Sequence, residues 1–206
     1  MTEGRFITLE GGEGVGKTTN LQFVAEFLQT KGKRVVTTRE PGGTPAGEKI
    51  RSLFLSEAGL TPEAELLLVF AARAQHLKEV VEPALAAGDW VVCDRFTDAS
   101  YAYQGGGRGL ALDFVRRLET QVQKGRTPDL TLLLDAPVDI GAARAKQRGH
   151  GDRLDEEDPA FFERVRAAYL ERAEDFPWRV KIIDAARPLE AVQADMATQL
   201  QRLLEL

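Results

Sequence analysis

The sequence is poor in the residues that cross-link a chain or hold a metal cluster. Its 206 residues include one cysteine, Cys93, and two histidines. A lone cysteine excludes an internal disulfide, and this small set argues against a zinc cluster. Long hydrophobic runs are also missing, since none approaches the ~20 apolar residues that span a bilayer. The first residues lead into an apolar strand pattern rather than a signal peptide. We therefore expect a cytoplasmic protein.

Positive charge is in deficit as well. Lys and Arg number 27 against 32 Asp and Glu, which gives a formal net charge of -5. An extended nucleic-acid-binding surface needs an excess of positive charge, so this partner is disfavoured. Any polyanionic ligand must instead meet locally clustered Arg and Lys. The 43% hydrophobic content is enough, at this length, for one domain with a sizeable core.

Short apolar runs alternate with longer amphipathic segments. Five runs, rich in β-branched residues or almost continuously apolar, predict strands of a parallel sheet covered on both faces. They are Arg5–Glu10, Arg34–Thr38, Trp90–Asp94, Leu130–Asp135 and Val180–Asp184. The amphipathic segments predict helices at about 17–31, 45–57, 62–87, 109–124, 137–148, 158–175 and 188–205. This alternation predicts a three-layer α/β fold with right-handed crossovers.

Two stretches do not fit this alternation and are predicted to be loops. Gln104–Gly109 (QGGGRG) is too rich in glycine for a regular element. Gly149–Asp155 (GHGDRLD) separates two helical patterns. Charged loops on a rigid α/β scaffold are where functional residues tend to lie.

A phosphate-binding motif lies between the first predicted strand and the first predicted helix. Gly11 and Gly16-Lys17-Thr18 fit the pattern G-x-x-x-x-G-K-[ST]. Converging backbone N–H groups and the helix N-terminus favour phosphate, Lys17 can reach the β and γ phosphates, and the Thr18 hydroxyl can hold Mg²⁺. We therefore predict a P-loop NTPase fold that binds a nucleoside triphosphate with Mg²⁺. The alternative is a chance glycine-rich turn.

A basic segment near residue 150 favours a kinase over a switch. The chain lacks the N-K-x-D motif of guanine-specific switches, whereas four cations, Arg144, Lys146, Arg148 and Arg153, lie close together. Phosphoryl transfer needs positive charge around the oxygens of the transition state. We predict a lid at about 144–155 that closes and excludes water, and the alternative is a solvated helix face.

Two further arginines follow predicted strands, at the rim where an open α/β sheet binds ligands. Arg39 follows the second strand and Arg95 follows the third. Together they predict a second anion site, although each alone is compatible with a surface arginine. Asp94 ends the third strand, in a position suited to bind Mg²⁺ or its water shell, or to orient Arg95.

The order of these motifs resembles that of bacterial thymidylate kinases over essentially the whole chain. The matching segments are Glu10–Thr19, Thr38–Gly43 (TREPGG), Ala71–Gln75 (AARAQ), Asp94-Arg95, Ala102–Gly109 (AYQGGGRG) and Arg144–Leu154. The resemblance implies a homodimer that transfers the γ-phosphate of ATP to dTMP with Mg²⁺, giving dTDP. Another nucleoside monophosphate kinase is one alternative. A P-loop switch or regulatory ATPase, whose basic segment would bind a protein, is the other.

The resemblance also implies roles for residues on the donor side. It implies that ATP is bound by Gly11, Gly12, Glu13, Gly14, Val15, Gly16, Lys17, Thr18, Thr19 and Arg144, the last by stacking on adenine. Lys17, Arg95, Arg148 and Arg153 are the implied catalytic residues, because in the bacterial type the lid supplies the catalytic arginine. Thr18 and Asp94 are the predicted Mg²⁺ ligands.

On the acceptor side, the resemblance implies a set of dTMP contacts. Arg39 and Arg95 would clamp the phosphate, and Pro41 would follow a cis peptide. Arg73 would form a hydrogen bond with the thymine carbonyl, and Ser100 and Gln104 would contact the base edge. Tyr103 would pack against the deoxyribose. The family's thymine-stacking Phe normally lies four residues before the arginine, where this chain has Val69. Phe70, three residues before it, is the preferred stacking residue here and Val69 is the alternative.

Glu13 places a carboxylate in the middle of the anion-binding loop. An acid directed at the triphosphate would be penalised by the local field, so its side chain should face away. The resemblance supplies a hydrogen-bond donor for it, the sugar 3′-hydroxyl of dTMP. The alternative is that Glu13 points into water.

Overall fold

The central sheet follows the predicted alternation. The computed structural model describes residues 4–148 and 153–205, without the side chains of residues 148, 155 and 156. The strands are β1 (Phe6–Glu10), β2 (Val35–Arg39), β3 (Trp90–Asp94), β4 (Leu130–Asp135) and β5 (Val180–Asp184). They pair in parallel in the order β2-β3-β1-β4-β5. The prediction of a five-stranded parallel sheet with helices on both faces is therefore confirmed.

Helices cover both faces of this sheet. They are α1 (Lys17–Thr30), α2 (Pro45–Ser56), α3 (Pro62–His76), α4 (Glu82–Ala86), α5 (Thr97–Ser100), α6 (Leu112–Gln123), α7 (Val138–Arg148), α8 (Pro159–Asp175) and α9 (Leu189–Leu204). Side-chain oxygens of Thr44, Thr61 and Asp158 cap α2, α3 and α8, and a proline follows each cap. The local sequence thus determines where these three helices begin.

The predicted helix 62–87 is divided, because a π-helical turn at Leu77–Val81 separates α3 from α4. Residues 149–152 of the second predicted loop lie outside the described residues. Arg153–Glu156 form a short 3-10 helix, so the prediction of a loop is wrong for residues 153–155.

The prediction of a loop at Gln104–Gly109 is wrong over most of its length, because Tyr101–Gly107 is π-helical. The glycines of this π-helix allow close packing against α8. A Cβ added to Gly106 would lie 2.7 Å from Ala168 Cβ, and one on Gly107 would lie 2.5 Å from the Phe161 ring. Glycine is therefore needed here for the approach of a neighbouring helix rather than for flexibility.

β1 is buried along its whole length and separates two apolar cores. On one face Ile7 and Leu9 pack with residues of α1 and α9. On the other face Phe6 meets Phe96 edge-to-face, with ring centroids 4.9 Å apart. Because the strands are parallel, the polar groups that end β1, β2 and β3 lie at the same edge of the sheet. Within residues 4–148 and 153–205, no helix is long and apolar enough to cross a membrane.

Candidate active site

The phosphate loop joins β1 to α1 and curves around the amine of Lys17. Gly11, Gly14 and Gly16 have φ angles of 136°, 70° and 90°, a region that favours glycine. Lys17 Nζ donates to the carbonyl oxygens of Gly11 at 3.1 Å and Gly12 at 2.6 Å. Burial lowers the pKa of this amine below its usual value, since the ammonium loses solvation. The loop therefore holds a buried cation at its centre.

The other loop residues differ in what they can offer a ligand. Val15 is buried in the core, so only its backbone can contribute to phosphate binding. Thr18 and Thr19 are exposed in the first turn of α1. Gly14 packs against α7, where a Cβ would collide with the carbonyl oxygen of Gly141. The helix whose last residues belong to the predicted lid is thus in direct contact with the phosphate loop.

The carboxylate of Glu13 turns towards a group of polar side chains beside the loop. It forms an ion pair with Arg95 and accepts a hydrogen bond from the Tyr103 hydroxyl at 2.9 Å. Burial raises the pKa of Tyr103 well above its ordinary value, so this hydroxyl remains a donor. Glu13 is therefore engaged by protein groups on the side of the loop where an acceptor was predicted.

Arg95 links the phosphate loop to that side. Its φ angle of 69° is left-handed, which is uncommon for a residue with a side chain. Nη1 donates to the Gly11 carbonyl at 3.1 Å and to the Tyr169 hydroxyl at 3.2 Å. Nη2 donates to the Tyr103 hydroxyl at 3.0 Å, and the guanidinium lies 4.7 Å from the centroid of that ring. These contacts hold the guanidinium beside the loop.

A cavity of about 410 Å³ opens between the phosphate loop, α2, α3 and the π-helix Tyr101–Gly107. We call it the acceptor cavity. The predicted site residues on its wall are Glu13, Gly14, Gly16, Lys17, Thr18, Pro41, Arg73, Asp94, Arg95, Ser100, Tyr103 and Gln104. The fold thus brings residues from five separate sequence segments, 13–18, 41, 73, 94–95 and 100–104, to one cavity.

Arg73 is buried on the wall of the acceptor cavity and is held by three partners. Nε donates to Glu40 Oε2 at 2.7 Å, and Nη2 donates to the Phe96 carbonyl at 3.0 Å and to Ser100 Oγ at 3.1 Å. Nη1 has no hydrogen-bond partner within the described part of the chain. A buried donor in this state is costly unless a ligand supplies an acceptor.

The structure places Val69, and not Phe70, on the wall of the acceptor cavity. Phe70 is 2% exposed and packs in a core cluster with Leu66, Tyr101 and Val115. Neighbouring helical positions point about 100° apart, so the residue next to a cavity-facing side chain turns into the core. Val69, and not Phe70, is therefore the residue placed to contact a base in this cavity, which corrects the preference for Phe70.

The segment after β2 positions two arginines. Pro41 follows a cis peptide bond, as the resemblance implied. Arg39 is half-exposed and pairs with Glu48, its Nη2 lying 2.8 Å from Oε2. Arg51, which sequence analysis missed, lines the acceptor cavity and donates to the Pro41 carbonyl at 3.0 Å. It lies within α2 and does not follow a strand, so the pattern of strand-end arginines does not include it.

Thr18 and Asp94 provide oxygens that fit Mg²⁺. Asp94 Oδ1 is buried without a hydrogen-bond partner among the residues that the structure describes. Asp94 and Thr18 both line the acceptor cavity beside Lys17. In the described ranges no three His, Cys, Asp or Glu side chains cluster as a metal site. A Mg²⁺ ion would therefore share these two residues with phosphate oxygens and water, which is its usual way of binding beside nucleotides.

The predicted lid arginines have different surroundings. Arg144 Nη1 donates to the Ala185 carbonyl at 2.7 Å, in the loop after β5. Arg153 is turned away from the phosphate loop, because its Nη1 pairs with Glu65 Oε1 at 2.7 Å and its Nη2 donates to the Phe54 carbonyl at 2.9 Å. The side chain of Arg148 lies outside the described residues.

A buried carboxylate that sequence analysis missed lies behind Arg95. Glu10, at the end of β1, accepts hydrogen bonds from Phe96 N at 2.7 Å and from the Tyr169 hydroxyl at 2.8 Å. Its pKa is raised to about 7, first by burial and then by the nearby charge of Asp98. The sequence places it at the end of the first predicted strand and at the start of the segment Glu10–Thr19, and no local pattern indicates that its carboxylate is buried.

These features together define a class of protein. A strand, a glycine loop and a helix surround a buried lysine, and the acceptor cavity, which opens on one side of this loop, carries arginine donors. This arrangement is that of a P-loop kinase that phosphorylates a small acceptor, because a switch or a motor needs no such cavity.

Comparison with known proteins gives the family. The family model described as thymidylate kinase matches residues 9–196. The thymidylate kinase of Methylococcus capsulatus is 61% identical over 204 residues, covering 99% of this chain and 98% of that protein. The thymidylate kinase of Pseudomonas putida is 57% identical over 204 residues, covering 98% and 97%. A crystal structure of thymidylate kinase from Ehrlichia chaffeensis matches with a TM-score of 0.80 at 32% identity, covering 97% of this chain and 99% of that one.

The chain therefore belongs to the thymidylate kinase family, and the family predicted from the sequence is confirmed. It is an ATP-dependent nucleoside monophosphate kinase, a transferase of nucleotide biosynthesis. The alternative of a P-loop switch or regulatory ATPase is not supported by these relatives.

Proposed function

We propose that this chain transfers the γ-phosphate of ATP to dTMP, giving ADP and dTDP in the synthesis of dTTP. The acceptor cavity is the proposed dTMP site. The observation that carries this assignment is Arg73 Nη1, a buried donor on the cavity wall without a partner in the described ranges. A carbonyl of the base would supply the missing acceptor.

In this proposal the phosphate loop holds the triphosphate. Backbone N–H groups of residues 12–19 and the amine of Lys17 would bind the phosphate oxygens, while Arg144 would lie against the adenine. Thr18 and Asp94 would hold Mg²⁺, directly or through water. When bound, Mg²⁺ would neutralise negative charge on the β and γ phosphates.

The proposed acceptor, dTMP, lies with its base at Arg73 and its phosphate at Arg95. Its other contacts would be Val69 on the base plane, Ser100 and Gln104 at the base edge, Tyr103 against the deoxyribose, and Glu13 at the 3′-hydroxyl. Arg39 would reach the phosphate after exchanging its ion pair with Glu48 for the ligand. One loop would then bind both substrates, ATP through its backbone and dTMP through Glu13.

Transfer along this path needs no general base from the protein, because a phosphate monoester is already an anionic nucleophile. Lys17 and Arg95 lie where negative charge develops on the transferred group and would stabilise it. Arg148 and Arg153 are the proposed lid contributions. Arg153 must first leave Glu65 and the Phe54 carbonyl, so lid closure requires these contacts to be exchanged.

The reaction is tested by measuring ADP release with a panel of monophosphates. We expect turnover with dTMP to exceed that with dCMP, dGMP and UMP by at least about a hundredfold, the discrimination that a site built to bond one base can provide. ATP hydrolysis that does not depend on any added monophosphate would contradict the proposal.

We further propose that residues 1–206 form one kinase domain with a lid at about 144–155, and that the protein is cytoplasmic.

We also propose that the chain forms a homodimer. The dimer is supported by Leu53 of α2 and Leu67 of α3, which are 44% and 50% exposed. Exposed leucines on neighbouring helices are suited to a partner subunit. Light scattering after size-exclusion chromatography should give twice the 22.7 kDa mass of the chain. A single monomeric peak would contradict it.

A further inference from the structure

His76, the last residue of α3, lies behind the acceptor cavity and bridges two residues of the neighbouring chain segment. Its Nδ1 lies 2.8 Å from Glu40 Oε1, and its Nε2 lies 2.7 Å from Thr38 Oγ1. These partners come immediately before and after Arg39. The imidazole therefore fixes both sides of the residue that is proposed to reach the acceptor phosphate.

The chemistry of the partners determines the direction of both hydrogen bonds. A carboxylate can only accept, so His76 Nδ1 donates to Glu40. In the neutral ring, Nε2 then accepts from the Thr38 hydroxyl. Both nitrogen atoms are thus satisfied in a fully buried position, where an unpaired polar atom would be costly.

The other oxygen of Glu40 continues this chain of contacts to the base site. Glu40 Oε2 accepts from Arg73 Nε at 2.7 Å. His76, Glu40 and Arg73 are 0%, 2% and 1% exposed, so water does not compete for these hydrogen bonds. The sequence of contacts Thr38–His76–Glu40–Arg73 therefore joins β2 to the donor that lines the cavity.

Gly43 packs closely against His76 and Thr38. A Cβ added to Gly43 would lie 2.6 Å from His76 Cδ2 and 2.6 Å from Thr38 Oγ1. The backbone N–H of Gly43 donates to Glu48 Oε1 at 2.9 Å, and Glu48 also pairs with Arg39. Thr38, Glu40 and Gly43 of this segment thus all lie against the imidazole.

We propose that His76 is a positioning residue that holds the Arg39 segment and Arg73 at a fixed separation. It would act through Thr38 and Glu40 and would not touch the substrate. This inference rests on the proposed function, since it assumes that Arg39 and Arg73 bind the two ends of one dTMP molecule. It adds a determinant of acceptor affinity that lies outside the cavity wall.

Steady-state kinetics of Thr38→Val and His76→Phe test this proposal. Thr38→Val removes one hydrogen bond at nearly constant shape, and we expect the KM for dTMP to rise about fivefold. His76→Phe removes both hydrogen bonds, and a rise on the order of thirtyfold is expected. The KM for ATP should stay within about twofold, because the hydrogen bonds of His76 go to Thr38 and Glu40, on either side of Arg39.

Thr8→Val is the matched control, because its hydroxyl bonds Thr131 Oγ1 at 2.8 Å in the buried sheet, away from the acceptor cavity. A raised KM for dTMP in Thr38→Val, with a wild-type value in Thr8→Val, supports the positioning role. Equal effects of the two valine variants, or KM values for ATP and dTMP that rise together, would overturn it. If His76→Phe does not fold, Thr38→Val alone decides.

Wild-type turnover of dTMP is measured first, which separates the two hypotheses. A wild-type chain that does not phosphorylate dTMP contradicts the proposed function. Turnover of dTMP in the wild type, together with a wild-type KM in Thr38→Val, overturns only the role of His76.

Discussion

Glu13 contributes both to the phosphate loop and to the wall of the acceptor cavity. Its backbone is part of the phosphate loop, whereas its carboxylate pairs with Arg95 and accepts from Tyr103. A negative charge is tolerated beside an anion site because the adjacent guanidinium compensates it. This side chain therefore connects the phosphate loop to the acceptor cavity.

Replacing Glu13 with Gln should impair the use of dTMP and leave ATP binding intact. The change removes the charge that orients Arg95 and weakens the acceptor for the sugar hydroxyl. We expect the KM for dTMP to rise about tenfold, equivalent to about 1.4 kcal/mol, with an unchanged KM for ATP. Glu57→Gln, at an exposed position at the end of α2, serves as control. Wild-type kinetics in Glu13→Gln would exclude any contact of Glu13 with dTMP.

At the scale of elements, the π-helix Tyr101–Gly107 carries acceptor-site residues on one side and packs tightly on α8 with the other. Tyr103 and Gln104 line the acceptor cavity. A Cβ on Gly106 would lie 2.7 Å from Ala168 Cβ and 2.9 Å from the Arg164 carbonyl. The glycines thus set the distance between this helix and α8.

Gly106→Ala should lower the free energy of unfolding by about 1–3 kcal/mol, because overpacking displaces a helix. Gly32→Ala is the comparison, since Gly32 has a φ of 75° and nothing within 4 Å of its added Cβ. It measures the cost of a left-handed backbone alone, roughly 1 kcal/mol. Urea unfolding provides both values. A stabilised Gly106→Ala, as helix propensity alone would give, contradicts the close packing.

Arg153 has a structural role before any catalytic one, because its guanidinium pairs with the buried Glu65. Arg108 Nη2 also lies 3.0 Å from Glu65, so the carboxylate keeps one partner when Arg153 is replaced. We expect Arg153→Ala to lower kcat at least about tenfold while the KM for dTMP changes much less, as for a transition-state contact. Arg116→Ala, an exposed arginine of α6, should retain wild-type kcat. An unchanged kcat in Arg153→Ala would remove this residue from the mechanism.

The parts of the fold and of the candidate site that could be predicted from the sequence are those encoded by patterns in consecutive residues. The continuous apolar strands and the phosphate-loop motif predicted the sheet and the donor site, because each is encoded in consecutive residues. The glycines of Gln104–Gly109 indicated a loop, since their use in packing against α8 depends on a segment that lies more than fifty residues away. The sequence could not decide whether Val69 or Phe70 faces the cavity, because it does not show which face of α3 meets the cavity. Arg51 gave no pattern at all.

For the whole molecule, the buried Glu10 makes stability depend on pH. Its folded pKa of about 7 exceeds the ordinary value of 4.5, with burial as the main cause. Between these values the folded chain binds more protons than the unfolded chain, so its stability falls as pH rises. The neighbouring groups are Asp98, which raises this pKa, and Arg95 and Tyr169, which lower it.

The size of this effect is measured by comparing the wild type with Glu10→Gln in urea. Between pH 5.5 and pH 8 the free energy of unfolding of the wild type should fall by about 2 kcal/mol relative to that of the variant, because glutamine does not titrate. The difference between the two proteins cancels titrations elsewhere in the chain. Parallel stability curves for the two proteins would contradict the raised pKa.

The register of the sheet fixes the position of the phosphate loop relative to Arg95. β1 leads into the phosphate loop, and β3, which ends beside Arg95, pairs with it so that Leu9 lies opposite Asp94. A slip of one residue would exchange the faces on which Asp94 and its neighbours project. The spacing between the phosphate loop and Arg95 is therefore set by backbone hydrogen bonds in the buried sheet. Substitutions on the outer helices can therefore change the free energy of unfolding without changing that spacing.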